Sequence, residues 1–434
     1  MSKRNFILLT IILTIIVIAI FGYLYFTQKG TTPNESDSGT NFLSQFNPFS
    51  TKPTKIEENK TPTDVSPYIP EGEKKEPVLE KVSSMPIAGF TVYKKERLKE
   101  VPPPAEGEVK EETSKPTPPA TEIVDALRYV DRANGNVYQT FVDKIEERRF
   151  SETVIPKIYE AVLGNSGNSA ILRYLKSDYK TIVTFLGKLP KEILGGDNTN
   201  GNELTGTFLP DNTTDLSISK DRKNVFYLFN FGENTVGTTL NLDTEKKTQV
   251  FDSPYTEWLS EWPNEKLITL TTKPSYGTPG YMYGVDPTNP KTPTQIMGGV
   301  NGLTTLTSPN GKMVLYANNN LSLGIYHTDT KTTDILGIRT MPEKCVWGKG
   351  GDFIYCGVPG STPSSEYPDV WYQGVVSFTD QFWKVDVTSG VETLILDETG
   401  GEELDSIKPA LDDEEEYLFF VNKKDSYLWK LKLK

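Results

Sequence analysis

The residues best suited to redox, metal or nucleophilic chemistry are scarce in this sequence. Its 434 residues include one histidine, His327, and two cysteines, Cys345 and Cys356. Zinc ribbons, haem attachment sites and most histidine-based metal centres need more such ligands. No G-x-S-x-G motif accompanies His327, so no serine nucleophile is indicated. We expect neither a metal site nor a cofactor, and we interpret His327 as a structural residue.

The two cysteines have a spacing that predicts a disulfide. They flank Gly350-Gly351, and a two-residue turn there would place Cys345 directly opposite Cys356 on adjacent antiparallel strands. Outside the cytoplasm, a cross-strand disulfide would follow. Redox catalysis fits the pattern poorly, because the sequence has no C-x-x-C motif and no base beside the pair. We predict a structural disulfide that contributes about 2–3 kcal/mol.

A second group of chemically suggestive residues lies in the segment 359–380. This segment concentrates aromatic and polar side chains, namely Tyr367, Asp369, Trp371, Tyr372, Gln373, Phe378 and Asp380. Aromatic loops with adjacent polar groups suit carbohydrate or peptide binding. The alternative interpretation is that the loop folds over a channel mouth and that its aromatic side chains form a local core.

These residues must be positioned by a repeated unit of four strands. The clearest copy, residues 302–337, has an apolar run, a Ser-Pro-Asn-Gly turn at 308–311 and three further short runs. Pro-Asn-Gly between alternating runs predicts a tight hairpin. Weaker copies occupy residues 154–209, 214–252, 255–297 and 341–396. A period of roughly 40 residues with four strands in each unit predicts a β-propeller.

The unit at 302–337 resembles a blade of the TolB-like and WD-type β-propellers, in which SPDGK and a later D-x-x-T-K occupy the same turns. Four other segments, PIAGFTVY, LRYVDRANGNVY, IPKIYEA and YPDVWYQGVVSFTDQFWKVD, are similar to those of uncharacterised membrane-anchored propeller proteins from small-genome bacteria. The resemblance covers residues 77–434. It implies architecture and location, and it brings no known activity.

The two ends of the repeat region determine the number of blades. The last unit ends one strand short at SYLWKLKLK, whereas an extra strand, PVLEKVS at 77–83, precedes the first unit. We expect residues 77–83 to pair with residues 427–433, which closes the ring without free strand edges. The prediction is an all-β, seven-bladed propeller over residues 77–434. Six or eight blades are the alternatives, because the second and sixth units are irregular.

The first strand of each propeller blade lines the central channel. Trp258, Glu261 and Trp262 fall on such a strand and are candidates for ligand binding, although aromatic side chains there commonly pack between blades. Glu160 and Glu343 are also predicted on first strands. Together with Glu261 they would supply the carboxylates that a hydrolase or lyase needs, if they converge on the channel.

The N-terminal residues predict a membrane anchor. Residues 6–26 carry no charge and would span about 30 Å as a helix. Lys3 and Arg4 precede them, so the positive-inside rule leaves the N-terminus in the cytoplasm and the rest of the chain outside it. A cleaved signal peptide is the alternative, but the apolar run is long and no A-x-A-like site follows it. We predict a signal-anchor helix within residues 1–26 of a single-pass protein of the cell membrane.

Four polar segments have compositions that argue against packed structure. Residues 27–76 are predicted to form a disordered stalk rich in Pro, Thr and Glu, and residues 96–122 a disordered insertion in the first unit. Residues 195–203 offer oxygen ligands, but their spacing does not match a calcium loop. They and the acidic run 412–416 are interpreted as solvated turns.

The net charge of −12 argues against a nucleic-acid partner, because phosphate binding needs a basic surface. We expect a non-catalytic binding scaffold that presents an extracytoplasmic face to a protein, a peptide or a cell-envelope glycan. The alternative is an extracytoplasmic, carboxylate-dependent hydrolase or lyase of the cell envelope.

Overall fold

The structure of the chain is a computed structural model, which describes residues 78–99, 120–192, 194, 202–397 and 401–433. These residues form seven antiparallel sheets of four strands each, which confirms the predicted all-β, seven-bladed propeller for this part of the chain. The predicted anchor and stalk, residues 1–76, lie outside the described residues. Within the described ranges, no helix has the length and apolar character needed to cross a membrane.

The blades follow one another along the chain, and the four strands of each blade are ordered from the inner edge of its sheet to the outer edge. Blade 1 consists of β2 (Ile87–Leu98), β3 (Thr121–Asp131), β4 (Val137–Phe141) and β5 (Arg148–Arg149). Blade 2 consists of β6 (Ile158–Gly164), β7 (Ser169–Leu175), β8 (Ile182–Lys188) and β9 (Thr205–Phe208). Blade 3 consists of β10 (Thr213–Ile218), β11 (Asn224–Phe231), β12 (Asn234–Asn241) and β13 (Lys247–Ser253). Blade 4 consists of β14 (Trp258–Asn264), β15 (Leu267–Thr272), β16 (Pro279–Val285) and β17 (Thr294–Asn301).

Blades 5 to 7 complete the ring. Blade 5 consists of β18 (Thr304–Thr307), β19 (Met313–Ala317), β20 (Ser322–His327) and β21 (Thr333–Arg339). Blade 6 consists of β22 (Cys345–Trp347), β23 (Phe353–Pro359), β24 (Asp380–Asp386) and β25 (Glu392–Leu396). Blade 7 consists of β26 (Ser406–Leu411), β27 (Tyr417–Asn422), β28 (Leu428–Lys432) and β1 (Leu79–Lys81). A 3-10 turn, Pro342–Lys344, precedes β22, and a short helix α1 (Asp369–Tyr372) lies in the loop between β23 and β24.

Each sheet buries both of its faces against neighbouring blades. In β11, Val225 and Tyr227 pack with residues of blade 2, whereas Phe226 and Leu228 pack with residues of blade 4. This follows from the strand itself, because successive side chains point to opposite faces. Within the described residues, one apolar cluster joins every pair of adjacent blades around the ring.

The N-terminal strand closes the ring as predicted. Strand β1 pairs antiparallel with β28, with Leu79 opposite Leu431 and Lys81 opposite Trp429. The backbone N–H of Val82 donates to the carbonyl of Leu428 at 2.8 Å. The Val82 side chain is buried in the apolar cluster between blades 7 and 1. The expected pairing of residues 77–83 with residues 427–433 is therefore confirmed for the described residues.

The predicted disulfide is confirmed in blade 6. Cys345 and Cys356 are directly opposed partners of β22 and β23 and form a disulfide. Both residues are buried in the cluster between blades 5 and 6.

Two local expectations differ from the structure. The first hairpin of blade 1 extends further than expected, because Leu98 still pairs with Thr121 and Arg97 Nε donates to Glu122 Oε1 at 2.7 Å. Charged side chains that pair across strands support this exposed hairpin, so the ends of the segment 96–122 are strand. Glu343, expected on a first strand, lies instead in the 3-10 turn before β22.

The chain direction divides the propeller into two faces. The first and third strands of every blade run from one face to the other, and the second and fourth strands return. We call the face at which the first strands begin the front face; it also carries the loops between second and third strands. Val78, which precedes β1, and Leu433, which follows β28, both lie on the opposite, back face.

Ring closure predicts a sharp boundary for truncation. A protein that begins at residue 84 should lose the β1 pairing and expose the edge of β28, whereas one that begins at residue 78 should not. We expect the shorter protein to unfold at a temperature lower by about 5 °C or more, or to aggregate. Circular dichroism melting and size-exclusion chromatography measure this difference. Equal melting of the two proteins would contradict the closure.

Candidate functional site at the front mouth of the channel

Four carboxylates stand close to the front mouth of the central channel. Glu160, Asp215 and Glu261 lie on the inner strands of blades 2, 3 and 4, and Glu343 precedes the inner strand of blade 6. All four residues are flanked by neighbouring blades but remain partly exposed. This combination is expected for side chains that project from inner strands into a channel.

Two of these carboxylates accept hydrogen bonds from the next blade. Asp215 Oδ2 accepts from the backbone N–H of Ser260 at 2.6 Å and from its hydroxyl at 2.7 Å. Glu261 Oε2 accepts from the backbone N–H of Thr307 at 2.8 Å. Burial raises the pKa of Asp215 to about 6 and the pKa of Glu261 to about 7, and the nearby charge of Glu343 adds to the latter shift.

Glu343 is held by the loop between β23 and β24. The hydroxyl of Tyr372 donates a hydrogen bond to Glu343 Oε1. The other carboxylate oxygen of Glu343, Oε2, is buried and has no hydrogen-bond partner among the described residues. Burial raises the pKa of Glu343 above its usual value. Burial and the adjacent Glu343 charge likewise raise the pKa of Tyr372.

Glu160 differs from the other three because it has cationic partners. Its oxygens lie 2.5 Å from Arg173 Nη1 and 3.5 Å from Lys408 Nζ. Burial opposes ionisation, but the charges of Lys408 and Arg173 outweigh it and lower the pKa of Glu160. Among the described residues, Asp215, Glu261 and Glu343 make no ion pair with lysine or arginine. Within the part of the chain that the structure describes, the channel mouth therefore holds three carboxyl groups that have no lysine or arginine within ion-pair distance.

The segment 359–380 spreads over the front face. Tyr367, Trp371 and Phe378 are buried in a local apolar core. Asp369 Oδ2 accepts from the backbone N–H of Tyr276 in blade 4 at 2.6 Å. These buried aromatic residues agree with the alternative interpretation of the sequence, in which the loop folds over the channel mouth and its aromatic side chains form a local core. They cannot contact a ligand unless the loop unfolds.

Only part of the predicted binding segment is accessible. Tyr372 and Gln373 are exposed, so a binding role for these two residues stays a prediction. Trp258 and Trp262 on β14 are buried in the cluster between blades 3 and 4, where they pack rather than face the channel. The Trp258 indole N–H donates to the carbonyl of Tyr255 at 2.8 Å.

Exposed aromatic side chains are concentrated on the front face. Eight phenylalanine or tyrosine residues of the described ranges are exposed, and six lie on this face. The six are Tyr159, Tyr179, Phe231, Tyr255, Tyr276 and Tyr372. They lie in blades 2, 3, 4 and 6 and in the loop that joins blades 3 and 4. Phe208 and Tyr281, the other two, lie on strands away from the channel.

Sequence reasoning missed five of the six exposed aromatic residues and Asp215. The five aromatic residues are Tyr159, Tyr179, Phe231, Tyr255 and Tyr276. They are far apart in the chain, and ring closure alone brings them to one face. For Asp215 a signal was present, because it interrupts the first strand of its unit with an acidic residue, as Glu160 and Glu261 do.

Other polar features identified in the sequence have local partners. His327 Nε2 lies 2.8 Å from Asp334 Oδ2 on the neighbouring strand. On the back face, oxygens of Asp125, Asp412 and Glu414 lie within 4.8 Å of one another, and Lys94 Nζ contacts Asp125 and Glu414. The lysine therefore occupies the position that a cation would take. The central residues of the segment 195–203 lie outside the described residues.

An open groove of about 760 Å³ also lies on the back face, between the turns of blades 3 to 5. It is lined by turn residues such as Lys220, Lys266 and Thr288. None of the four channel carboxylates borders it, so the groove is separate from the front mouth.

Comparison with known proteins finds distant structural neighbours. No protein-family model matches the sequence, and no curated protein matches it. The structure is similar to oligogalacturonate lyase from Vibrio parahaemolyticus, with a TM-score of 0.45 and 7% identity over 71% of this chain and 86% of that chain. A manganese complex of oligogalacturonate lyase gives a TM-score of 0.44 and 7% identity over 71% and 85% of the two chains.

TolB from Acinetobacter baumannii is also similar, with a TM-score of 0.38 and 12% identity over 69% of this chain. The match spans 60% of the TolB chain. At these identities and TM-scores the similarity assigns no activity, ligand or partner to this chain. The closer resemblance to membrane-anchored propeller proteins stays a prediction.

The raised pKa of Glu261 predicts an unusual pH dependence of stability. A carboxyl group whose pKa rises on folding, here from 4.5 to about 7, binds its proton more tightly in the folded state. The contribution of protonated Glu261 to the free energy of unfolding is greatest below pH 4.5, and it is lost as the pH rises to about 7. Between pH 5 and pH 8 the free energy of unfolding of the natural protein should fall by about 1–3 kcal/mol relative to that of Glu261→Gln.

The matched control is Glu160→Gln, because the pKa of Glu160 is lowered on folding. Ionised Glu160 stabilises the fold and titrates only below about pH 4.5, so this substitution should destabilise the protein by a constant amount between pH 5 and pH 8. Urea unfolding across this range should therefore show a pH-dependent difference from the natural protein for Glu261→Gln and a constant difference for Glu160→Gln. Parallel pH profiles for the natural protein and Glu261→Gln would contradict the assignment.

Proposed function

We propose that this chain is a non-catalytic, extracytoplasmic binding scaffold that is tethered to the cell membrane. Its front face would capture a segment of a partner protein that carries an exposed lysine or arginine. Aromatic side chains would pack against the segment, and the basic side chain would enter the channel mouth. The observation that carries this proposal is the coincidence of exposed aromatic residues and unpaired carboxylates at one mouth.

The aromatic residues favour a protein segment as the partner. Five of the six are tyrosines, and the sixth, Phe231, has an exposed fraction of 73%. Tyrosine offers a large, rigid contact surface with a polar end at a low entropic cost. Aromatic residues are enriched at the centres of protein interfaces for this reason.

The carboxylates favour a basic side chain within that segment. Asp215, Glu261 and Glu343 have no cationic partner among the described residues, and the protein carries a net charge of −12. A lysine or arginine of the partner protein could form ion pairs with these carboxylates in the mouth. The negative net charge of this protein would attract such a basic side chain. The charge of that side chain would also lower the raised pKa values of these groups, so binding and deprotonation would be coupled.

The N-terminal residues support the membrane tether. The apolar run 6–26 supports an anchor, and Lys3 and Arg4 support an extracytoplasmic propeller.

Peptide selection against the full-length protein in detergent tests the proposal. A random displayed library should yield binders enriched in lysine or arginine. Their affinity should fall at least about tenfold in Phe231→Ala with Tyr255→Ala, and likewise in Glu261→Gln with Glu343→Gln. The matched control is Phe208→Ala, an exposed aromatic residue away from the mouth, which should change affinity less than about twofold. Binders without basic residues, or affinities insensitive to the front-face variants, would refute the proposal.

Binding of such a peptide should weaken as the solution becomes acidic. Neutralisation of Glu261 near pH 7 and of Asp215 near pH 6 removes the charges that attract the basic side chain. We expect affinity to fall roughly tenfold or more between pH 8 and pH 5. In Glu261→Gln, the part of this fall that lies between pH 8 and pH 6 should be smaller. Titration calorimetry across this range measures both; affinity that is constant with pH would count against the carboxylates as the binding groups.

The second candidate function is a carboxylate-dependent hydrolase or lyase of the cell envelope. The observation that favours it is the pKa of about 7 for Glu261, which suits a general acid at neutral pH. Turnover of envelope polysaccharide by the purified protein, abolished in Glu261→Gln, would establish this activity. It would replace the non-catalytic proposal.

A further inference from the structure

A buried corner between blades 6 and 7 holds one lysine against two aspartates. Lys344 lies in the 3-10 turn, Asp380 begins β24 and Asp405 precedes β26. Lys344 Nζ is 2.7 Å from Asp380 Oδ2 and 2.5 Å from Asp405 Oδ1. All three side chains are 0% exposed. The half-buried Lys423 is close enough to interact electrostatically with Asp405 and Lys344. The three fully buried groups themselves comprise one cation and two carboxyl groups, and such a set is costly to bury unless one carboxyl is protonated.

The two carboxyl groups have different surroundings. Asp405 Oδ2 accepts from the Trp371 indole N–H at 3.0 Å and from the backbone N–H of Phe378 at 3.1 Å. These donors and Lys344 together occupy both oxygens of Asp405. Asp380 Oδ1, in contrast, is buried without a hydrogen-bond partner among the described residues. Burial raises the pKa of Asp380, although the charge of Lys344 opposes this.

The second oxygen of Asp380 sits between two hydrogen-bond donors. Its Oδ2 accepts from the backbone N–H of Ser406 at 2.7 Å and from the Ser406 hydroxyl at 2.9 Å. Donors in this position stabilise negative charge that develops on a carbonyl oxygen during nucleophilic attack. The corner thus contains an amine, the Asp380 carboxyl group, a second carboxyl group that can act as a base, and a pair of oxyanion donors.

We propose that Lys344 and Asp380 condense spontaneously in the folded protein to form an intramolecular isopeptide bond. Asp405 takes a proton from the Lys344 ammonium, and the free amine attacks Cγ of protonated Asp380. The Ser406 donors stabilise the oxyanion on Oδ2. The bond between Cγ and Oδ1 then breaks, and Oδ1 leaves as water with its own proton and a second proton from the former amine. The products are one amide, one water and protonated Asp405, so atoms and charge balance.

The fold supplies what such a condensation needs. Amide formation from an amine and a carboxylic acid is unfavourable in bulk water, but fixed neighbours react at very high effective concentration. The side chains of Trp371 and Phe378 border Lys344 and keep water away. The bond would close residues 344–380 into a covalent ring next to the Cys345–Cys356 disulfide. It would thereby fasten the loop that carries Tyr372 to the channel mouth.

The mass of the full-length protein, reduced and denatured, tests the proposal directly. We expect a mass below that of the sequence by one water, in nearly all molecules. Tryptic digestion should then yield a branched peptide that joins the Lys344 and Asp380 segments, with no cleavage after Lys344. The Lys430–Glu80 ion pair, 3.0 Å long with a largely buried lysine, is the internal control and should appear as unlinked peptides. A mass equal to that of the sequence would refute the proposal, and this readout requires no variant.

Substitutions test the proposed roles of Lys344, Asp380 and Asp405 in bond formation. Lys344→Met and Asp380→Ala should retain the full sequence mass. Asp380→Asn should release ammonia instead of water, so its final mass should equal that of the cross-linked natural protein. Asp405→Asn should slow bond formation by roughly 100-fold or more, because it removes the base. A branched peptide that joins Lys344 to Asp405 instead of Asp380 would overturn the assignment of the electrophile.

Discussion

The structure depends on one constraint: each four-stranded sheet is apolar on both faces and cannot remain stable alone in water. Strand β11 illustrates it, because Val225 and Tyr227 face one neighbouring blade while Phe226 and Leu228 face the other. Such sheets must stack side by side, and only a closed ring leaves no apolar face uncovered. Closure in turn requires the chain to return to its beginning, which β1 accomplishes by completing blade 7.

Ring closure also creates the channel and its chemistry. Seven inner strands converge closely, and at Gly89 a Cβ atom would lie only 1.9 Å from the carbonyl oxygen of Ala161. Polar groups on these strands meet across blade boundaries, as Asp215 meets Ser260. Confinement raises the pKa values of Asp215 and Glu261 toward neutrality. The proposed binding site is therefore a product of the architecture, since no single blade contains it.

The segment 359–380 connects this mouth to the interior. At one end of its short helix, Tyr372 reaches Glu343 in the channel, while Trp371 contacts the buried Asp405. Lys344 follows Glu343 directly in the chain, so the channel carboxylate and the buried charged corner are held by the same turn. A covalent bond in that corner would limit movement of the turn and of the loop together. Binding at the mouth and rigidity of the corner are for this reason expected to be related properties.

The sequence alone determined the blade repeat and the disulfide, because these are encoded by local periodicity and by register across one hairpin. It also determined the closing strand, because the repeat lacks one strand at its end and has one extra strand at its start. Cys345 and Cys356 could be paired from a two-residue turn without knowledge of any other blade. Only the tertiary structure decided which side chains share the front face and which carboxylates share the channel. Tyr276 and Asp369, or Lys344 and Asp405, are distant in the chain, and their contacts follow from the packing of whole blades. Such long-range contacts depend on the geometry of the complete ring, which no local pattern contains.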